Sequence, residues 1–483
     1  MRQWMVAAKK ADFYAIAEKF HVDPVVARII RNREVIGEKN IRIYLGGNLS
    51  DLSDPHQMKD MDRLVEILAQ KIRKQVHIRI IGDYDVDGVT SSHLFLTALR
   101  RVGAKVDVVI PHRIQDGYGL SLHLLQQAKE DGVDTILTCD NGIAAIDEIA
   151  WAKAQKMTVL VTDHHAVPFE EHEGRRTEKK SLADAVVNPH QQDCRYPYKE
   201  LCGAGVAWNV IRVLYENYDM DKREAEDLLD FVAMATVCDV MSLTGENRIL
   251  VKEGLKRIRH TKNIGLQALM QACNVQPENI SAYHFGYVLG PCVNATGRLD
   301  TARHALRLFE TGQETEAEEI ARDLVDLNQE RKELTLQGVE MAKKLCEEGG
   351  YENDPVLVLF LPDVHESIAG LIAGRIREMY NRPVFVLTRG EEGVKGSGRS
   401  TENYSMYENM CGCAELFTKF GGHPMAAGLS LPEENVEKFR RKINENCPLT
   451  VEEVCPDIHI DMAMPVGCLL YTSPSPRDYA ASR

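Results

Sequence analysis

The stretch His77-Ile78-Arg79-Ile80-Ile81-Gly82-Asp83-Tyr84-Asp85-Val86-Asp87-Gly88 runs from β-branched residues into three alternating acids, and a helical pattern follows near 89–102. A strand that gives way at once to a helix is the first half of a β-α-β unit. Residues i and i+2 of an extended chain point the same way, so several of these carboxylates can converge at the strand end. Carboxylates that close repel one another unless a cation joins them. The bland alternative is a solvated acidic turn, with Asp87 capping the helix.

The same alternation repeats downstream. Short β-rich runs occupy 106–110, 135–138 and 158–161, with helical patterns near 119–131 and 143–155 between them. This spacing predicts an α/β domain built on a doubly wound parallel sheet, whose ligand sites lie at the carboxyl ends of its strands. Two more polar groups fall on such ends. Thr138-Cys139-Asp140-Asn141-Gly142 is one, although Asp-Asn-Gly is also strong turn chemistry. Thr162-Asp163-His164-His165 is the other, although a histidine pair is often structural. Asp239 lies in an apolar run, Val237-Cys238-Asp239-Val240, where a buried carboxylate needs a hydrogen-bond partner or a metal. Oxygen-rich ligands with an imidazole suit Mn²⁺ or Mg²⁺ better than a thiolate zinc site. Two such ions about 3.5–4 Å apart hydrolyse phosphoesters.

Residues 1–75 read as helical and 200–310 as mainly helical. A long polar helical stretch spans roughly 314–347, and a second, smaller α/β pattern begins near 355 and ends near 450. The 483 residues carry a net charge of −14, which argues mildly against a protein that coats nucleic acid non-specifically. Catalytic carboxylates inflate that charge, and a narrow channel needs only a local positive patch. No apolar run reaches membrane-span length, and Met1-Arg2-Gln3-Trp4-Met5 lacks a signal-peptide layout, so a cytoplasmic protein with reduced thiols is expected.

Asp163-His164-His165 is the signature of the DHH phosphoesterase superfamily. The segment 83–88 resembles its first motif, Asp140 its second and Asp239 its fourth. Further stretches resemble the RecJ-like branch: Pro111-His112-Arg113 with Asp116-Gly117-Tyr118-Gly119-Leu120, Val187-Asn188-Pro189, Gly203-Ala204-Gly205-Val206-Ala207, and 290–300. Gly396-Ser397-Gly398-Arg399-Ser400 and 421–428 resemble the DHH-associated domain. The resemblance covers roughly residues 20–460.

It implies a helical region at 1–75, a catalytic domain at 76–310, a linking helix at 311–350 and an associated substrate-binding domain at 351–450. Residues 451–483 would hold the start of a largely missing oligonucleotide-binding barrel (454–461) and, from about Val466, a non-native tail. It implies two ions, Mn²⁺ or Mg²⁺, held by Asp85, Asp87, Asp140, His164 and Asp239, with Asp140 bridging and Asp83 a ligand or a supporting acid. His165 would contact the scissile phosphate. Arg113, Ser397, Gly398 and Arg399, in a Gly-Ser-Gly turn, would hold a 5′-terminal phosphate. Arg298 would restrict the channel to single strands or contact the backbone, and His423, in a glycine-rich loop, would face the cleft. The implied activity is 5′-to-3′ degradation of single-stranded DNA for repair and recombination, with single-strand-binding protein and a helicase as partner classes. Where many DHH phosphatases carry a metal-binding histidine, this chain has Ile81, which argues against a pyrophosphatase. A phosphodiesterase acting on short oligonucleotides or small nucleotides is the alternative enzyme. A replication scaffold, which typically loses the acids, is the non-enzyme.

Overall fold

The computed structural model describes residues 3–449, without 114, 115, 118, 173, 174, 352, 353, 391 and 392, together with residues 457–464. The chain divides into two compact units, one of residues 43–333 and one of residues 1–42 with 334–483. The expected non-native tail and residues 454–456 of the expected barrel start lie outside the described residues.

The first unit is built on a five-stranded sheet of β1 (Ile78–Ile81), β2 (Val106–Val109), β3 (Thr135–Cys139), β4 (Thr158–Thr162) and β5 (Ala185–Val187). Every pairing is parallel, and the order is β2-β1-β3-β4-β5. Alternate residues feed two cores. Ile78, Ile80, Leu137, Leu160 and Val187 belong to one, and Ile81, Ile136, Val159, Val161 and Val186 to the other. A sheet buried on both faces explains why these strands read as continuous apolar runs. The order reverses between β1 and β3, and a doubly wound sheet binds its ligands at that switch point. Helix α1 (Val86–Arg101) follows β1 directly and is buried along most of its length, packed against α2 (Gly203–Asn217) and α3 (Leu229–Cys238).

The second unit holds a mixed five-stranded sheet of β6 (Leu357–Phe360), β7 (Val384–Gly390), β8 (Gly393–Arg399), β9 (Lys419–His423) and β10 (Ala426–Leu431). Its order is β9-β10-β8-β7-β6, and only β6 and β7 pair in parallel.

Three expectations are corrected. Gly396-Ser397-Gly398-Arg399 is strand β8, not a turn. Added Cβ atoms would lie 2.4 Å from Leu387 Cδ2 at Gly396 and 2.4 Å from Met406 Sδ at Gly398, so these glycines admit neighbouring side chains. Gly421-Gly422-His423 likewise ends strand β9 rather than forming a loop. Within residues 1–75, Gln3–Val6 is a strand paired in parallel with Asp457–Ile460; such a partner, remote in sequence, leaves no local signal. Among the described residues, no helix is long and apolar enough to cross a membrane.

Candidate active site

The site forms where β1, β3 and β4 end and where α3 stops. After β1 the chain turns sharply, and Asp85 becomes the N-cap of α1, its carboxylate accepting from Gly88 N at 3.0 Å. The cap is thus Asp85, not Asp87. That frees Asp87 to point inward, where it accepts from Gly203 N (2.5 Å) and Ala204 N (2.8 Å) at the amino end of α2. Gly297 lies so close that an added Cβ would meet Tyr84 O at 2.3 Å, and Asn294 Oδ1 accepts from Val86 N at 3.1 Å.

After β3, Asp140 adopts the left-handed backbone (φ 62°), which Asp tolerates better than most residues. Asn141 donates to Ile81 O (3.1 Å) and Cys139 O (2.9 Å), tying the ends of β1 and β3 together. The turn reading and the ligand reading of Asp140-Asn141-Gly142 are therefore both met by one loop.

After β4, Asp163 has a different part from its neighbours. Its carboxylate accepts from Ile143 N (2.9 Å), His164 N (2.7 Å), His165 N (3.0 Å) and His165 Nδ1 (2.8 Å). His164 Nε2 lies 3.1 Å from Asp140 Oδ1, 3.6 Å from Asp239 Oδ2 and 3.7 Å from Asp87 Oδ2. Asp239 is the C-cap of α3.

Three overlapping groups have ligand atoms within 4.8 Å of one another: Asp83, Asp85 and Asp140; Asp87, His164 and Asp239; and Asp140, His164 and His165. Among the described residues, Asp83 Oδ1, His164 Nε2 and Asp239 Oδ2 are buried without a hydrogen-bond partner. Such atoms are costly to bury unless something coordinates them. The electrostatics agree. Burial, then Asp85, pushes Asp83 up to about 8, and burial, then Asp87 and Asp85, pushes Asp239 up to about 8. Burial, then the carboxylates of Asp87, Asp85, Asp83 and Asp239, holds Asp140 well above the usual range. Burial lowers His164. For His165, burial opposes the proton but the bond to Asp163 prevails, raising it to about 9. Neutral imidazole and crowded carboxylates are the donor set a hard divalent cation would ionise and occupy.

Arg113 joins this cluster: its Nε donates to Gly297 O at 3.1 Å, and its guanidinium lies 4.1 Å from the centre of the Tyr84 ring. Arg298 lies in the last turn of α4 (Gly290–Leu299). Ser397, Gly398, Arg399 and His423 gather separately, in the second unit. Arg399 and His423 both pair with Ala426, one on each side. Arg399 is held below its ordinary pKa by burial and then by Arg377.

Four supporting groups had no role in the sequence reading, although all lie in motifs it quoted: Asp163, Asn188, whose side chain donates to His165 O (2.9 Å), Asn294, and the Gly203–Ala204 amides. Three of them, Asp163, Asn188 and Asn294, bond backbone atoms of other segments, and a motif does not show such bonds.

The "DHH family, N-terminal domain" model matches residues 77–236, and the "DHHA1 domain" model matches residues 353–447. The chain is 36% identical to the single-stranded-DNA-specific exonuclease RecJ of Haemophilus influenzae, over 87% of this chain and 74% of that protein. It is 33% identical to its Bacillus subtilis namesake, over 93% of this chain and 56% of that protein, so it spans little more than half the latter's length. The crystal structure of RecJ in complex with Mn²⁺ from Thermus thermophilus superposes with a TM-score of 0.81 at 28% identity, covering 97% of this chain and 66% of that one.

Proposed function

Because the chain belongs to the family of RecJ single-stranded-DNA-specific exonucleases, within the DHH phosphoesterases, we propose that it hydrolyses phosphodiester bonds in single-stranded DNA from the 5′ end. The observation that carries this reading is the set of buried, partnerless ligand atoms on Asp83, His164 and Asp239 inside overlapping ligand groups. Asp87, His164 and Asp239 would hold one cation, Asp83 and Asp85 the other, and Asp140, grouped with Asp83 and Asp85 and also with His164, would bridge. Bound Mn²⁺ or Mg²⁺ would supply an activated water and offset charge on the phosphoryl oxygens and leaving group. His165, kept protonated by Asp163, would donate to the scissile phosphate.

Arg113, braced on Tyr84 and Gly297, offers a planar cation beside the acids. Arg399 is half-buried and carries the added repulsion of the Arg377 charge, which an anion would offset; a 5′-terminal phosphate held with Ser397 and Gly398 would be that anion. His423 would contact the strand, and Arg298 would restrict entry to single strands. A nuclease of this kind acts on DNA in the cytoplasm. A helicase that exposes single strands and single-strand-binding protein are the partner classes that this reading suggests.

The test is a substrate panel with Mn²⁺: 5′-phosphorylated and 5′-hydroxyl single strands, duplex, dinucleotide and pyrophosphate. The phosphorylated single strand should be cut fastest, and Arg399→Ala should lose that preference. Faster turnover of the dinucleotide would favour the small-substrate phosphodiesterase and overturn this reading.

A further inference from the structure

Immediately beyond the ligand Asp239, the chain presents apolar surface to solvent. Val240 is 88% exposed and holds a left-handed backbone (φ 59°), a conformation a β-branched residue rarely takes. Packed against this corner is the helical segment that leads into α4. It begins with Ala282–His284, passes through a π-helical turn at Phe285–Leu289, and continues as α4. The π turn is seated on the end of α3. Cys238 Sγ donates to Phe285 O at 3.3 Å, a Cβ at Gly290 would lie 2.3 Å from Cys238 Sγ, and one at Gly286 would lie 3.4 Å from Val237 Cγ1.

On the outer side of that turn stand Tyr283 and Tyr287, 62% and 72% exposed, with rings stacked at 5.2 Å and 26°. Farther along the same segment, Asn294 bonds Val86 N in the acidic loop and Gly297 touches Tyr84. At 1.5 Å per residue, Tyr287 is roughly 10 Å along the axis from Asn294. An aromatic pair is thus carried on the same element that touches the acidic cluster.

We propose that Tyr283 and Tyr287 form a ledge on which unpaired bases of the substrate strand stack as the strand enters the acidic site. Three features support this. Large aromatic faces left in solvent have a cost that a stacking ligand repays. Every base has a π face, so such a ledge is indifferent to sequence, as an exonuclease requires. A duplex offers no such faces, because its bases are already stacked on one another, so the ledge also selects for single strands. π turns are rare and concentrate at functional sites, and here the turn carries Tyr287 outward while Phe285 and Leu289 stay buried. The inference rests on the single-strand reading given above and adds where the bases lie.

The experiment measures binding separately from cutting. Wild-type chain, the Tyr283→Ala/Tyr287→Ala variant and the Tyr283→Phe/Tyr287→Phe variant are titrated with labelled oligothymidylate and with the same strand carrying abasic sites, Ca²⁺ replacing Mn²⁺. Wild type should prefer the base-bearing strand. The alanine variant should lose at least about fivefold of that preference, the lower bound for one stacked base, and the phenylalanine variant should keep it. Alanine variants that discriminate base-bearing from abasic strands as wild type does would overturn the ledge, whatever their cutting rate. A wild-type chain that binds with base preference yet never cuts with Mn²⁺ would support the ledge and contradict the nuclease reading instead.

Discussion

Asp163 and Asp140 are both buried carboxylates, and their surroundings treat them in opposite ways. Asp163 receives four hydrogen bonds and is held below the usual carboxylate range despite its burial. Asp140 is buried facing other acids and is pushed well above it. Both were in view as strand-end acids, but only the fold separates the positioning acid from the candidate ligand. Asp140→Ala should therefore abolish cleavage, and Asp140→Asn, which suits the left-handed backbone while removing the repelling charge, should melt no lower than wild type without metal; cleavage by Asp140→Ala within tenfold of wild type would contradict the bridging role. Asp163→Asn should let the His165 pKa fall from about 9 toward its ordinary value, and imidazole NMR titration of metal-free protein reads this directly. The stability of the metal-free chain should also depend on pH. Asp83 and Asp239 near 8 and His165 near 9 keep protons that the unfolded chain releases at lower pH, so their contribution is present in acid and is lost as pH rises through those values. With EDTA, Tm should drop by about 5 °C between about pH 6.5 and 8.5, and Mn²⁺ should raise it more at the upper pH. A Tm that climbs across that window without metal would contradict the crowded-carboxylate account. Near pH 6.5 the unfolded chain still holds about half a proton on His93, whose folded imidazole is lowered to about 3, so that group opposes the drop slightly at the start of the window.

At the level of elements, the strands that carry the acids were legible because each is a local apolar run ending in a polar residue. β5 was not, being only three residues long, and neither were β8 to β10, whose glycines mimic loops. Those glycines make room for packing. The clearest case for the site is Gly203, where an added Cβ would lie 2.7 Å from Asp140 Cβ and 2.8 Å from its Oδ1. Gly203→Ala should push α2 away from the β3 end, disturbing Asp140 and the two amides that hold Asp87. It should cost about 1–3 kcal/mol of stability and lower kcat by at least tenfold. A variant with wild-type kcat and Tm would show that α2 does not set the ligand geometry.

Across the whole molecule, the formal charge of −14 was the weakest guide to function. Asp83, Asp85, Asp87, Asp140, Asp163 and Asp239 supply six of its negative charges within one site. The helix Glu314–Glu348 crosses the boundary between the two units, and its polar periodicity showed its length but not which residues divide the units. The pairing of Gln3–Val6 with Asp457–Ile460 joins the two ends of the sequence and was invisible in either alone. The central claim is that the acidic cluster of this chain cuts single-stranded DNA beginning at a 5′ end. Its most direct test is Mn²⁺-dependent digestion of one single-stranded sequence offered as a 5′-phosphorylated linear strand and as a covalently closed circle. The account predicts that the linear strand is consumed from its 5′ end while the circle survives, and that Asp140→Ala spares both. Digestion of the circle at the rate of the linear strand would contradict it.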